Sequence, residues 1–187
     1  PQLLTRSVSS ESIGPATRTG WAPTLCGRPV DAGRALVMAI VNRTPDSFYD
    51  GGTAFTDTGA MDRVTRAVDE GADIVDIGGV KAGPGTVVDA DEEIRRVVPF
   101  VEWVRATHPH LVISVDTWRS EVAEQACAAG ADLVNDTWAG ADPDLVHTAA
   151  RCGAGIVCSH TGGATRRTRP HRVRYTDVVA DVLAEVT

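Results

Sequence analysis

Lysine is almost missing from this chain: Lys81 is the sole lysine among 18 basic residues in a length of 187. Positive charge is in deficit as well, since 25 acidic side chains bring the formal net charge to −7. That balance argues against a nucleic-acid partner, because neutralising phosphates requires a basic face. The one local exception is RRTRPHRVR at 166–174. Long apolar runs are absent too. None approaches the ~18–20 residues that cross a bilayer, and no charged-then-apolar signal opens the chain, so no membrane partner is expected. The four cysteines, Cys26, Cys127, Cys152 and Cys158, form no CxxC and no zinc-type pairing with histidine. In a chain of this size they fit reduced, mostly buried thiols of a cytoplasmic protein better than a disulfide frame. GPGTVV at 83–88 lacks the GxGxxG form and gives a dinucleotide site little support. The first residue is Pro rather than Met, which leads us to expect the true N-terminus upstream.

What is present is a 43% hydrophobic chain able to bury a real core, with one domain expected. Residues 1–33 are rich in Ser, Thr, Pro and Gly without periodicity and read as an N-terminal extension. From 34 to 187 a βα theme recurs. ALVMAIV (35–41), ADIVDI (72–77), LVISV (111–115), ADLVN (131–135) and GIVCS (155–159) are short apolar runs of the kind buried in parallel sheets. Between them, Met61, Val64 and Val68 predict a helix around 59–70. Ile94, Val97, Val98, Val101 and Val104 predict another over 91–106. Asp142-Pro143 reads as a helix start, with Asp as cap and Pro at the first helical position, followed by Leu145, Val146, Ala149 and Ala150. The joints nearly repeat, as GADIVDI, GADLVND and GAGIVCS, with Gly71, Gly130 and Gly153 where a helix would end.

Alternating βαβα with buried strands means a parallel sheet, either doubly wound or closed into a barrel. Polar residues stand at the C-terminal ends of five successive strands: Asn42, Asp76, Asp116, Asn135 and His160. In a barrel such positions converge on one mouth, whereas isolated Asp and Asn after strands serve as caps and turn formers. Five in succession favour the α/β, TIM-type (β/α)8 barrel, of which about five to six βα units are expected here.

The stretches NRTPDSFYDGG (42–52), DIGG (76–79), SVDT (114–117) and GADLVND (130–136) resemble, in that order, the motifs of the dihydropteroate synthase family. The resemblance covers about 35–187 and implies a pterin-binding barrel. Its activity joins a hydroxymethyl-dihydropterin diphosphate to p-aminobenzoate, releasing pyrophosphate and making dihydropteroate for folate. The resemblance makes Asn42 a Mg2+ ligand, an amide oxygen being suited to a hard cation that keeps most of its waters. It places Asp116, Asn135 and Asp76 against the pterin, with Asp116 favouring a cationic ring in a dry pocket. It also implies a cytoplasmic homodimer with pterin and p-aminobenzoate-like ligands. The family's later Asp-Pro-Gly-x-Gly-Phe segment, its Ser-Arg-Lys strand end and the Arg-x-His near the family's C-terminus are absent here. A closed barrel needs at least ~200 residues, so a piece of a longer chain is expected.

One loop departs from the family. After Asp-Ile-Gly-Gly the family has Glu-Ser-Thr-Arg, where this chain has Val80, Lys81, Ala82 and Gly83. Losing the arginine removes a bidentate phosphate fork. Lys81 supplies only a point charge, two positions away. The pterin end is kept and the diphosphate and aminobenzoate end is damaged, so the expectation is a divergent homologue with weak or absent synthase activity. Three alternatives stand beside it: an active synthase with an altered second loop, a non-catalytic binder of pterin or sulfa-type ligands, and a pterin-dependent methyltransferase. The last would need a cobalamin partner, and the first loop points away from it.

Weaker signals remain. The 166–174 run is either an anion clamp supplying the charge that Gly83 lacks or a solvated loop. Arg43, which follows Asn42 where the family has Val, and His160 are second-tier pocket candidates. Trp118 and Trp138 either stack on a flat ring or pack between helices.

Overall fold

The computed structural model describes residues 24–31, 33–44, 57–162, 166–167 and 175–186. The predicted first loop beyond Thr44, the extension before Thr24 and most of the 166–174 run lie outside the described residues. The described part of the predicted extension includes a two-stranded antiparallel hairpin, β1 (Thr24–Leu25) and β2 (Arg28–Pro29). Five βα units follow: β3 (Met38–Asn42), α1 (Asp57–Asp69), β4 (Ile74–Gly78), α2 (Ala90–Thr107), β5 (Val112–Asp116), α3 (Ser120–Ala128), β6 (Leu133–Asp136), α4 (Leu145–Cys152), β7 (Gly155–Cys158) and α5 (Val178–Val186).

The five long-unit strands are parallel and lie side by side in chain order, β3-β4-β5-β6-β7. A doubly wound sheet reverses its order at a switch point, whereas a barrel does not. The register divides the sheet into two faces. Val41, Ile77, Val115, Val134 and Ile156 occupy matching positions on one. There Val41, Ile77 and Val115 pack with Val64, Val97, Val101 and Val104 of α1 and α2, and Val134 packs with Ala123, Leu145 and Ala149 of α3 and α4. Burying each of these valine, isoleucine and leucine side chains contributes about 1.5–3 kcal/mol. The other face carries the strand-end polar residues. The apolar runs therefore mark a helix-covered outer face, and the inner face is the lumen of a partial barrel.

Glycine ends the helices as predicted, with φ of +94° at Gly71, +115° at Gly130 and +69° at Gly153. At Gly130 the close approach of Arg105 adds a steric reason, since a β-carbon there would sit 2.9 Å from Arg105 Cγ. Arg105 in turn donates to Gly130 O at 2.8 Å and to Asp132 Oδ2 at 2.5 Å. Arg28 reaches the other oxygen, Asp132 Oδ1, at 2.9 Å, so the hairpin is fastened across the N-terminal end of the sheet.

Two helix readings need correction. In α2 the buried stripe is Glu93, Val97, Phe100, Val101 and Val104, while Ile94 and Val98 lie at its margin. α4 begins at Leu145 rather than Pro143, which leaves Val146 51% exposed and buries Thr148 in its place. The cause is Asp142. Its Oδ2 accepts from Ser120 N at 2.8 Å, bracing the start of α3 across space, while its Oδ1 accepts from Asp144 N at 3.0 Å in a turn that precedes α4.

Candidate functional site

The inner face gathers its polar residues at the C-terminal ends of the strands. Asn42, Gly78, Asp116 and Asn135 share one register level, and Ile40, Asp76, Ser114 and Leu133 the level beneath. Asp76, 5% exposed, is the anchor of the lower level. Ser114 Oγ donates to its Oδ1 at 2.6 Å and Asn135 Nδ2 to its Oδ2 at 3.1 Å. Burial raises the Asp76 carboxyl above its ordinary range, and these two hydrogen bonds partly oppose the rise.

Asp116 lies one level above. Thr137 Oγ1 donates to its Oδ1 at 3.1 Å. Its Oδ2 borders the gap left by the missing side chain of Gly78. A β-carbon there would stand 3.6 Å from Asp116 Oδ2 and 3.6 Å from Asn42 Oδ1. Two acceptor oxygens from strands on either side of β4 thus flank one opening. Burial pushes the Asp116 carboxyl up to about 7; the charge of Asp76 adds to this, as do Glu93 and Asp136 more weakly, against the Thr137 hydrogen bond. Near neutral pH it can accept from a donor-rich ligand or stabilise a cation by ionising.

Asp116 is not a helix cap, because Arg119 occupies that position without a side-chain bond and Asp142 serves Ser120. The Asn135-Asp136 pair divides its work. Asp136 forms the turn, accepting from Trp138 N at 2.9 Å and Gly140 N at 2.7 Å, while Asn135 faces Asp76.

The second loop is held at its base and open at its tip. Val80 and Val88 are buried with Trp118, and Trp138 packs against them. Arg96 Nη1 donates to Gly79 O at 3.0 Å, and a β-carbon at Gly79 would meet Val97 Cγ2 at 2.8 Å, so only glycine fits beside α2. Lys81 is half-buried, with its Cδ alongside Gly85, and Ala82 is exposed. A β-carbon at Gly83 would have nothing within 4 Å.

Three sequence candidates fall elsewhere. Arg43 is 7% exposed and turned toward the helices: it bonds Asp57 Oδ1 at 2.5 Å and lies 4.9 Å from the Phe100 ring centroid. His160 Nε2 pairs with Asp181 Oδ2 of α5 at 2.8 Å, and its ring tilts against Tyr175. Trp118, 7% exposed, is buried with Val80 and Val88 and has Arg119 over its ring at 4.5 Å and Arg166 at 5.9 Å, so packing occupies it. Arg167 donates to Thr86 O at 2.9 Å, so one described arginine of the 166–174 run returns to the second loop, and the other, Arg166, lies by Trp118.

The sequence reading missed Ser114, Thr137 and the Glu93–Arg119 pair. Glu93 is fully buried and paired with Arg119, and burial raises its carboxyl. It had a legible signal, standing four residues before Val97 on the apolar stripe of α2. Among the described residues no cluster of three or more His, Cys, Asp or Glu could hold a metal ion by itself. A cavity of about 440 Å³ lies at the other end of the sheet, lined by Pro29, Asp31, Asp73, His108, His110 and Leu111 among others. Its carboxylates Asp31 and Asp73 are tied to Arg34, so the converging polar groups belong to the mouth.

The family model described as pterin binding enzyme matches residues 38–187. A protein of Mycobacterium tuberculosis named inactive dihydropteroate synthase 2 is 62% identical over 168 residues, covering 88% of this chain and 53% of that protein. Its namesake in Mycobacterium leprae is 63% identical over 167 residues, covering 87% of this chain and 57% of its own. The chain thus spans about half the length of these relatives. Among solved structures, dihydropteroate synthase of Yersinia pestis in a sulfonamide drug complex superposes with a TM-score of 0.76 at 34% identity, over 87% of this chain and 58% of that one. The Xanthomonas albilineans dihydropteroate synthase with 4-aminobenzoic acid gives 0.68 at 42% identity, over 84% and 55%.

Proposed function

This chain belongs to the pterin binding enzyme family, and from that premise we propose that it is the pterin-holding part of a dihydropteroate synthase homologue with weak or absent synthase activity. The observation that carries the reading is the contrast between the two sides of the mouth. Asn42, Asp76, Asp116 and Asn135 gather on the inner face, Asn135 bonded to Asp76 and Asp116 held by Thr137, while the adjoining loop ends in Ala82 and Gly83 with open space where a phosphate fork would be anchored. The names carried by the two mycobacterial relatives agree with it.

The pterin ring is a planar array of donors and acceptors. Asp116 Oδ2 supplies a carboxylate acceptor at its edge, and Asn135, with one N–H given to Asp76, keeps an oxygen and a second N–H for it. In the joining reaction the aminobenzoate nitrogen bonds to the pterin methylene carbon, the carbon–oxygen bond breaks, and pyrophosphate departs with the electron pair. An ionised Asp116 favours the positive charge that develops on the pterin side. Pyrophosphate's negative charge needs stabilisation in turn, and here the chain is poor.

A Mg2+ ion fits the donor set as a ligand-borne cation. Asn42 Oδ1 is one neutral oxygen directed at the Gly78 opening, which suits an ion retaining most of its waters. When bound it would neutralise the diphosphate as a Lewis acid. Asn42 would hold it and Asp116 would stand nearby. The four free thiols agree with a cytoplasmic location, and a homodimer is the assembly we assign to the complete protein.

Calorimetry with a dihydropterin, together with a pyrophosphate-release assay using both substrates, tests the reading on the full-length protein. Pterin binding with turnover at least ~100-fold below an ordinary synthase is expected, that being the loss typical for removing a charge-stabilising group. Turnover equal to an ordinary synthase would overturn the inactive assignment. Absence of pterin binding would overturn the site.

A further inference from the structure

The other end of the sheet holds a different chemistry. α3 and α4 pack directly on one another through small side chains, Ala123 and Ala149 being almost wholly buried between them. Close helices bring their last turns together, and each last turn carries a cysteine: Cys127 one residue before the end of α3, Cys152 at the end of α4. Cys127 packs against the Ala123, Val134, Leu145 and Ala149 cluster. Its thiol meets that of Cys152 side chain to side chain. Both are free thiols, Cys152 exposed and Cys127 partly covered.

We propose that Cys127 and Cys152 are a reversible disulfide site, closed by a hydroperoxide, that staples α3 to α4 around β6. Cys152 is the thiol that solvent reaches. Cys127 is partly covered, which assigns it the resolving role; burial and the adjacent Cys152 push its thiol up. In the first step the Cys152 sulfur bonds to one peroxide oxygen, the O–O bond breaks, and the thiol proton leaves with the second oxygen as water or alcohol. Cys152 is then a sulfenic acid. In the second step the Cys127 sulfur bonds to the Cys152 sulfur, the S–O bond breaks, and hydroxide takes up the Cys127 proton as water. Two thiols are oxidised by two electrons and one peroxide is reduced. A thiol reductant reverses the bridge by exchange.

The experiment is peptide mapping after hydrogen peroxide treatment of the full-length protein. Arg119 and Arg151 place the two thiols on separate tryptic peptides, 120–151 and 152–166. The expected product is their cross-linked pair, about 2 Da lighter than the two thiols together, cleaved by dithiothreitol. It should be absent from C127S and from C152S but present in C158S, which separates Cys152 from the other cysteine of its peptide. The oxidised protein should unfold a few degrees higher than the reduced form, because the bridge closes a loop of roughly 25 residues. Formation of only sulfinic or sulfonic acid at Cys152 would overturn the proposal. So would a bridge to Cys26, a bridge between two molecules, or an unchanged unfolding temperature.

Discussion

Asp116 is held in a state that costs folding energy. Its carboxyl is raised from 3.8 to about 7 in the folded chain, so the native state keeps a proton that the unfolded state has released. Stability from this group is fully present below about pH 4, falls as pH rises toward 7, and is flat above, where both states are ionised. Asp116→Asn should therefore raise the unfolding free energy by about 1–3 kcal/mol at pH 8 and by less at pH 5, as chemical denaturation at the two pH values would read. The same variant should lose pterin affinity by ~10–100-fold through the missing charge-assisted hydrogen bond. Equal stability of the two proteins at pH 8 would remove the strained carboxylate from the account. A second residue-scale prediction concerns the open tip of the second loop. Gly83 has unoccupied space beside it and no positive φ, so Ala82→Thr with Gly83→Arg should fold normally. The pair should gain ~10-fold or more in diphosphate affinity by calorimetry with pyrophosphate, and an unchanged affinity would show that the loop is not what limits the site. Asp116 and Asn135 could be read from sequence because each ends an apolar run. Ser114 could not, because one hydroxyl inside LVISV gives no sign of which face it takes until the register aligns it with Asp76.

Elements were legible wherever one face is apolar, and least legible where ends are fixed by distant partners. Each strand begins one to three residues later than its apolar run in four of the five cases, since Ala35, Ala72, Leu111 and Ala131 precede the ladder. Composition marks which residues are buried, whereas pairing depends on a neighbour the local sequence does not name. α2 shows the opposite situation. Asp89 caps it by accepting from Glu92 N at 2.8 Å, three residues away, and its predicted span differs from the observed one by a single residue at each end. Asp142 misled because one of its carboxylate oxygens serves Ser120, 22 residues earlier in the chain, and the other a turn to Asp144 that precedes the helix. Removing that carboxylate with Asp142→Ala should destabilise the protein by about 1 kcal/mol, the usual cost of a lost N-cap. Hydrogen exchange should show the loss at the first turn of α3 rather than in α4. Increased exchange confined to α4 would restore the local reading of the Asp-Pro pair.

At the scale of the whole molecule, the sheet is continuous from β3 to β7 and has two unpaired edges among the described residues. Strand-end polarity revealed the barrel-like order because four successive βα units place Asn42, Asp76, Asp116 and Asn135 on one face toward the same end, an observation that needs no knowledge of closure. The apolar side of the same design is less visible in sequence. Met38, Ile40 and Val157 lie on the inner face and are 37%, 54% and 40% exposed, while α5 exposes Val178, Val179 and Leu183. In a closed barrel the inner side chains fill layers contributed by further strands. Here they border the two open edges, the arrangement that invites pairing with another chain. The 187-residue chain by itself should therefore associate as its concentration rises from ~1 to ~50 µM, and should bind a dye that reports exposed apolar surface. Light scattering after size exclusion reads the first and fluorescence the second. Joining it to the part of the mycobacterial relatives that it does not match should suppress both signals, because added strands would cover β3 and β7 together. If the 187-residue chain stays monomeric and leaves the dye dark, the exposed inner face is covered by the chain's own residues outside those described, and the open-edge account fails.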